Sequence, residues 1–541
     1  MIAVAGCATT AGRASSRVRD DLADILVAEI AASRNDLTDA ARRYAAVAAH
    51  NESPALLERA TRLAAQAQQP RLALRAAQRW VARAPGSVDA QELAGAASLQ
   101  LYELPRAGAY FARVVSLQPE GVEAGLVRVD EALSESDDVY AARRVADRIA
   151  APYPGSAAAL HLLAAAQLNA DDASAAVPTL RRAWQLTPRP EIGWMLARAL
   201  ASSGEERESL ALANRLADNG DTAGRLRQAG VLLLLRHEGA ARAVLESLLD
   251  SPAQGADALQ MLGQLLLQDG DLSSAESCFL RLIKSGRHVD DAFFDLGRIA
   301  ERRGEEEAAL RLYSRVNEGG HALGAMLRAA ALLKRRGLSA ETDQLFEGLV
   351  ADVPARAPQI IAARAQLYAD AGEATRGLEL LDQALGEYPD STELQFKHAE
   401  LLDSAHRLRA SLRALDELRR RRPDDPTALN ALGFTLADHG MELPRARRLI
   451  ERALAQAPQS AAIRDSLGWV LYRQGLPEQA LPHLSAAFEV DRGAETGAHM
   501  GEVLWALNRR DEARRVWAQA RLDDPRDPVL QATLRRLGAG D

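Results

Sequence analysis

The two cysteines of this 541-residue chain are the side chains best suited to covalent chemistry, because a thiolate is a strong nucleophile. Cys278 lies in an apolar stretch between Ser277 and Phe279, which predicts an inert core residue. Cys7 lies near the start of the chain in a run of small residues. The two cysteines are too far apart and too different in context to suggest a structural disulfide. Cys7 is therefore the candidate for chemical modification.

Residues 4–7, Val-Ala-Gly-Cys, resemble the lipobox at which bacterial lipoprotein signal peptides are cleaved. The resemblance implies a lipid on Cys7, with residues 1–7 as a signal remnant and the small polar residues 8–20 as a flexible tether. Too few residues precede Cys7 for a full signal peptide, and a start site farther upstream would supply them. Ala8 after the cysteine resembles lipoproteins sent to the outer membrane. No apolar run approaches the roughly 20 residues that span a bilayer, so lipid would be the membrane attachment.

Other catalytic or cofactor chemistry finds no support in the sequence. It contains no glycine-rich phosphate loop, His-Glu-x-x-His, Cys-x-x-Cys or nucleophile elbow. The 10 histidines are scattered, so no metal-ligand spacing forms. A formal charge of −8 gives no basic surface for nucleic acid. We therefore expect a non-enzyme without cofactor or metal, whose partners are not nucleic acids.

The elements that position these residues follow from an internal repeat. Ala, Leu and Arg dominate and aromatic residues are 4% of the chain, which favours an all-α protein. Small residues recur every 32 to 36 residues, with one doubled gap where Glu341 takes the place. They are Ala40, Ala73, Ala107, Ala141, Ala176, Ser209, Ala241, Ala275, Ala309, Gly377, Ser411, Ala446, Ala480 and Ala513.

An apolar residue, in most units a larger one, follows each small residue and Glu341 at i+4, which places both on one helical face. These residues are Tyr44, Ala77, Phe111, Val145, Leu180, Ala213, Leu245, Phe279, Tyr313, Leu345, Leu381, Leu415, Ile450, Leu484 and Trp517. Upstream, Gly263, Gly297, Gly433, Gly468 and Gly501 each follow Leu or Met. Glycine in a helix costs about 1 kcal/mol against alanine, so close helix approach must require it. Pro85, Pro119, Pro188, Pro389, Pro423, Pro458 and Pro525 are expected to end the second helix of their units.

This pattern resembles the tetratricopeptide repeat, and the resemblance covers residues 21–528. It is strongest in the last three units and weaker around residues 190–255 and 320–357. It implies an all-α, right-handed superhelical solenoid of about 15 helix-turn-helix repeats, in which each unit buries its apolar stripe against its neighbours. Residues 529–541 would form a C-terminal capping helix.

The family binds its partners on the concave face formed by the first helix of each unit. Carried onto the units that begin near Pro426, Ala461 and Ala494, this resemblance implies a peptide-binding or partner-binding surface. Its residues would be Asn430, Phe434, Asp438, Asp465, Trp469, Tyr472, Arg473, Glu502 and Trp505. Aromatic rings beside hydrogen-bonding groups suit the capture of an extended peptide or a helix. The alternative is that the larger rings fill gaps between helices.

The runs at residues 429–438 and 465–473 are similar to proteobacterial outer-membrane lipoproteins with long tetratricopeptide arrays. These include adaptors that recruit a periplasmic carboxyl-terminal processing protease. The similarity implies a non-catalytic, periplasm-facing scaffold that holds this protease and its substrates together, raising their effective concentration.

Three other functions stay open at this point. The chain could be a lipoprotein that assists assembly of an outer-membrane or exopolysaccharide secretion complex. It could be a cytoplasmic co-chaperone or scaffold if Met1 is the genuine start. An enzyme fused to repeats is the third, although residues 1–20 and 529–541 leave no room for a catalytic domain.

Overall fold

The computed structural model describes residues 21–217, 221–317, 319–523 and 527–539. Within these ranges the chain forms 31 α-helices, α1 to α31, packed as about 15 successive pairs. The predicted all-α fold of paired helices is therefore confirmed. We call the odd-numbered helix of each pair the A helix and the even-numbered one the B helix.

The A helices, α1 to α29, are residues 21–33, Pro54–Gln66, Val88–Gln100, Val122–Ser134, Ala157–Asn169, Pro190–Ser202, Thr222–Leu234, Gly255–Gln268, Val289–Arg302, Ala322–Arg335, Ala357–Asp370, Thr392–Ser404, Pro426–Asp438, Ala461–Arg473 and Ala494–Ala506.

The B helices, α2 to α30, are Leu37–Ala48, Pro70–Arg83, Leu104–Leu117, Val139–Ala150, Ala173–Leu186, Glu206–Ala217, Glu238–Leu248, Leu272–Ser285, Glu306–Tyr313, Ser339–Asp352, Ala374–Glu387, Leu408–Arg421, Leu443–Gln456, Pro477–Val490 and Arg510–Asp523. A single 3-10 turn, Pro354–Arg356, precedes α21, and α31, Pro528–Leu537, follows the last pair.

The helix boundaries follow from local chemistry. Helix α24 ends at Arg421, two residues before Pro423, as expected from the restriction that proline imposes on the residue before it. The carboxylate of Asp425 then accepts hydrogen bonds from the backbone N–H groups of Thr427 and Ala428, which caps α25. Gly475 provides the left-handed turn between α27 and α28 at φ +80°.

The small and large positions of the repeat form the core between the helices of a pair. Of the fourteen small residues, Ala40 and Ala513 at the two ends of the series are fully buried, as are their counterparts between them. Glycines of the A helices lie against the large residue of the B helix. A Cβ atom at Gly263 would lie 2.7 Å from the Phe279 ring, and one at Gly468 would lie 2.5 Å from Leu484. The close approach inferred from the sequence is present.

The tenth pair departs from the predicted register. The expected positions were Glu341 and Leu345, but Glu341 is exposed and Leu345 is half-buried. The buried pair is instead Thr342, fully buried, and Phe346, 1% exposed. The i, i+4 relation holds, shifted by one residue, because burial selects the residues that fit the interface rather than the average repeat length.

The described helices group into two units, and the first comprises the described residues of 21–135, 146–165 and 173–401. Within it, early pairs contact late ones. The Asn35 side chain donates a hydrogen bond to the carbonyl of Ala351. The Gln69 Nε2 atom lies 2.8 Å from the carbonyl oxygen of Glu387, and Arg71 forms an ion pair with Asp390. These contacts join segments more than 300 residues apart in sequence.

The second unit comprises residues 136–145 and 166–172 and the described residues of 402–539. Within it, Arg422 is 7% exposed and its Nη1 atom lies 2.6 Å from Asp138 and 3.3 Å from Asp425. Helix α31 closes the described part of this unit by burying Leu530 and Leu534. The division into a signal remnant, a tether, an array and a cap stays a prediction, because residues 1–20, with Cys7, lie outside the described residues.

Candidate functional site

The predicted partner-binding residues lie on three A helices of the second unit, α25, α27 and α29. These helices contact one another in order, and α29 contacts α31. Asn430 and Asp465 occupy the fifth residue of their helices, so they lie at equivalent positions on neighbouring helices. The carboxylate of Asp425 and the hydroxyl of Ser460 cap the two helices and fix where each begins.

Trp469 is 6% exposed and supports this surface from beneath. Its Nε1–H donates to Asp438 Oδ1 over 3.1 Å, which joins α27 to α25. Its ring stacks on the imidazole of His499 with centroids 4.2 Å apart, which joins α27 to α29. The rings of Trp469 and Tyr472 lie 5.4 Å apart, and the Arg473 guanidinium lies 5.7 Å from the Trp469 ring centroid. Trp469 is thus the residue that holds three A helices in register.

Beside it lies a buried histidine–carboxylate pair. His499 is 3% exposed, and its Nδ1 lies 2.7 Å from Asp465 Oδ2. Burial lowers the pKa of His499, but the carboxylates of Asp465 and, farther away, Glu495 and Asp438 outweigh it, so the pKa is raised. The Phe434 ring lies 6.0 Å from the imidazole. The Asp465 carboxylate therefore stabilises the charged form of His499 beneath the surface of α25, α27 and α29, and the pair has no net charge when both groups are ionised.

Glu502 forms the third junction. Glu502 is 4% exposed, and one of its carboxylate oxygens accepts a hydrogen bond from the Tyr472 hydroxyl over 3.2 Å. The other oxygen pairs with the Arg536 guanidinium on α31. Burial and the Glu502 carboxylate raise the pKa of Tyr472. These contacts neutralise a buried carboxylate and connect α27, α29 and α31.

The open part of the surface centres on Asn430 and Phe434, which are both half-buried. The Oδ1 atoms of Asn430 and Asp465 are buried and have no hydrogen-bond partner within the described structure. Unpaired buried acceptors are costly, so an N–H donor that reaches these oxygens, such as one from an extended peptide backbone, would be stabilising. This is the arrangement that offers a partner both an apolar contact and hydrogen bonds.

The other predicted residues lie as follows. Asp438 is exposed and also receives Arg473, whose Nη1 donates to the Asp438 backbone carbonyl. Trp505 is half-buried but turns toward α30, where its ring lies 5.6 Å from that of Trp517. These contacts join seven of the nine predicted residues, partly through His499, whereas Asn430 lies one turn before Phe434 on α25 and Trp505 makes a separate contact.

Sequence reasoning missed His499 and Arg536, which complete this surface. His499 stands two residues before Gly501, where the two preceding repeats carry the small residues Ala431 and Ser466. A large polar residue at a position that is otherwise small was the available signal. Arg536 carried no such signal, because an arginine on a terminal helix is ordinarily solvated.

The remaining predicted chemistry concerns the cysteines and the membrane. Cys278 is buried, and burial raises the pKa of its thiol. Across the described ranges, no cluster of three or more His, Cys, Asp or Glu side chains could hold a metal ion. In the same ranges every helix is too short or too polar to cross a bilayer. Cys7, the predicted lipidation site, lies outside the described residues.

Known proteins share the sequence features of these pairs. The family model of the tetratricopeptide repeat matches residues 260–319 and 442–494. A TPR repeat-containing protein of Pseudomonas aeruginosa is 30% identical over 249 residues, which are 46% of this chain. The match spans only 42% of the length of that relative.

Two solved structures show partial likeness. A thermophilic TPR protein of Thermus thermophilus is 20% identical, with a TM-score of 0.30, over 33% of this chain and 98% of its own. A tetratricopeptide repeat protein of Parabacteroides merdae is 18% identical, with a TM-score of 0.32, over 49% of this chain and 99% of its own.

Proposed function

We propose that this chain, in which residues 260–319 and 442–494 match the tetratricopeptide repeat, is a scaffold for protein–protein interaction and a lipid-anchored adaptor of the outer membrane. It faces the periplasm, binds a carboxyl-terminal processing protease and promotes degradation of that protease's substrates. The anchor is a lipid on Cys7. The chain contributes no chemistry of its own, and it acts by holding protease and substrate at high effective concentration.

The surface of α25, α27 and α29 carries this proposal. It pairs a half-buried ring, Phe434, with two unpartnered buried acceptors, the Oδ1 atoms of Asn430 and Asp465. Trp469, His499 and Glu502 fix its geometry from beneath. A preorganised surface loses little conformational entropy on binding, which favours capture of a partner segment.

The protease partner and the membrane location are supported by sequence. Residues 429–438 and 465–473 resemble outer-membrane lipoproteins that include adaptors of this protease class, and residues 4–7 resemble a lipobox. The run at 429–438 lies on α25 and the run at 465–473 lies on α27, so both fall on the proposed surface.

The test is affinity capture from the membrane fraction of the native host, with mass spectrometry of the captured proteins and of the mature N-terminus. We expect a periplasmic carboxyl-terminal processing protease among the captured proteins and a lipid on Cys7. Capture of a stable membrane complex without a protease would favour an assembly role. An unlipidated N-terminus with cytoplasmic partners would overturn both location and function.

Variants locate the surface. Asn430→Ala with Phe434→Ala removes the Phe434 ring and the Asn430 amide, whose buried Oδ1 has no hydrogen-bond partner within the described structure. We expect this double variant to lose protease capture while its circular dichroism is unchanged. Val490→Ala on α28 is the matched control, because Val490 is an exposed apolar residue of the same unit and lies on a B helix. Full capture by the folded double variant would move the binding site elsewhere.

A further inference from the structure

Helix α1 presents an outer face that carries no charge. Each of its acidic residues is paired with a neighbouring element: Asp21 lies 2.7 Å from His50, Asp24 lies 3.4 Å from Arg43, and the third acid pairs with α3. That third residue is Glu29, whose pKa is lowered to about 2 by hydrogen bonds from an arginine and a tyrosine. All three carboxylates of α1 are thus occupied by α2, α3 or the turn between them.

Large apolar residues occupy the outer face of α1. Leu22 is 62% exposed, Leu26 64%, Val27 41% and Ile30 44%. Leu22, Leu26 and Ile30 are spaced by four residues, so they form one stripe along the helix. Ala23 and Ser33 are also exposed, and both are uncharged. An exposed apolar stripe of this kind calls for a covering surface.

Helix α31 differs from α1 in the residues that it exposes. Helix α31 turns Leu530 and Leu534 inward and exposes Arg535 and Arg536. Its outward face is charged, as expected of a capping helix in water. The outward face of α1 therefore differs from that of α31 in carrying no charged residue.

We propose that the outer face of α1 docks on the lipid surface to which the chain is anchored. This inference rests on the proposed anchor at Cys7. Thirteen residues, 8–20, lie between Cys7 and Asp21, and a fully extended segment that joins the two reaches about 50 Å at most. The face is therefore held within reach of the bilayer. A neutral, apolar stripe on a helix about 20 Å long suits burial at the level of the lipid headgroups.

A second copy of the chain fits this face less well. A stable interface between proteins buries about 1,200 Å² or more in total. A helix face about 20 Å long and about 10 Å wide offers roughly 200 Å² per copy, or roughly 400 Å² for two. That area is too small for a stable dimer. A membrane avoids this difficulty, because the anchor holds α1 at the surface at high effective concentration.

The experiment uses the full chain with Cys7→Ser and Cys278→Ala, attached through an N-terminal hexahistidine tag to nickel-chelating vesicles of phosphatidylethanolamine and phosphatidylglycerol. An environment-sensitive fluorophore is placed by Leu26→Cys, and the matched control carries it through Leu280→Cys. Leu280 is 52% exposed on α16, so the two labels start from similar environments. We expect vesicles to shift the emission of the label at position 26 to the blue and to leave the label at position 280 unchanged.

Partition of the untagged chain gives the second measurement. Replacing exposed leucines by aspartates removes apolar burial, so Leu22→Asp with Leu26→Asp is expected to weaken vesicle binding about tenfold or more. Absence of a vesicle-dependent shift at position 26 would overturn the proposal. A shift that appears without vesicles as protein concentration rises would identify a second copy as the occupant and overturn it too. Because the tag replaces the lipid, a failure of lipidation in cells would leave this result intact, and the two proposals fail separately.

Discussion

Substitution of Gly263 by alanine tests whether the glycines of the A helices are required by close packing. Gly263 lies inside α15, and a Cβ atom there would be 2.7 and 2.8 Å from two atoms of the Phe279 ring. Ordinary contacts between carbon atoms are about 3.5 to 4.0 Å, so the ring or the helix must move by about 1 Å. Phe279 is fully buried and has no solvent-facing space to enter.

Two opposing terms set the magnitude. Alanine is favoured over glycine inside a helix by about 1 kcal/mol, whereas overpacking a core costs about 1 to 3 kcal/mol. For a ring held on all sides the overpacking term is expected at the upper end, so Gly263→Ala should destabilise the eighth pair by about 1 to 2 kcal/mol. Gly348→Ala is the control. Gly348 is exposed within α20 with open space around it, so this change should stabilise by about 0.5 to 1 kcal/mol.

Hydrogen exchange resolved by peptide is the suitable assay, because a long repeat array does not unfold as one two-state unit. Gly263→Ala should speed exchange in α15 and α16 by about five- to thirtyfold, and Gly348→Ala should slow it in α20. Adding Phe279→Leu should relieve part of the Gly263→Ala penalty, since residues in contact couple by about 0.5 to 3 kcal/mol. Stabilisation by Gly263→Ala of the size seen for Gly348→Ala would refute the packing argument.

Two further predictions concern the charged pair and the repeat register. His499 has a pKa raised above 6.5, so its charged form stabilises the fold fully below that pH, and this contribution is lost as pH rises through the folded-state pKa. The difference in thermal midpoint between the wild type and His499→Gln should therefore become smaller as pH rises. A difference that does not change with pH would contradict the charged pair. In the tenth pair, Phe346→Ala should cost about 3 to 5 kcal/mol because Phe346 is fully buried, whereas half-buried Leu345→Ala should cost about 1 kcal/mol. Hydrogen exchange in α20 measures which variant loses more local stability. A larger loss for Leu345→Ala would support the register expected from the sequence.

The sequence predicted the pairing of helices because the repeat unit is a local motif. An i, i+4 pair such as Ala275 and Phe279 and a glycine such as Gly263 specify one interface within about 16 residues. That logic failed at Thr342 and Phe346. The average repeat length pointed to the preceding residues, Glu341 and Leu345. The side-chain types favour Thr342 and Phe346, because a glutamate does not fit a buried small position.

The candidate surface was less accessible to sequence reasoning. The sequence placed Asp438, Trp469 and Tyr472 on equivalent helices, but it could not show that their polar atoms bond to one another or to Glu502 across about 30 residues. Which side chain is buried depends on rotamers set by neighbouring pairs. His499 shows the same limit, because its role comes from the partners it meets on the adjacent helix.

The long-range contacts of the first unit change how that unit responds to shortening. In a chain of pairs coupled only to their neighbours, removing the first pair disturbs one adjoining pair and nothing beyond it. Here the loop after α1 is hydrogen-bonded to the end of α20, and the loop before α4 is hydrogen-bonded to the end of α22. Trimming from the amino-terminal end therefore removes neighbours from pairs ten and eleven as well. Stepwise deletion would not remove this unit one pair at a time, because its first pairs and its later pairs stabilise one another.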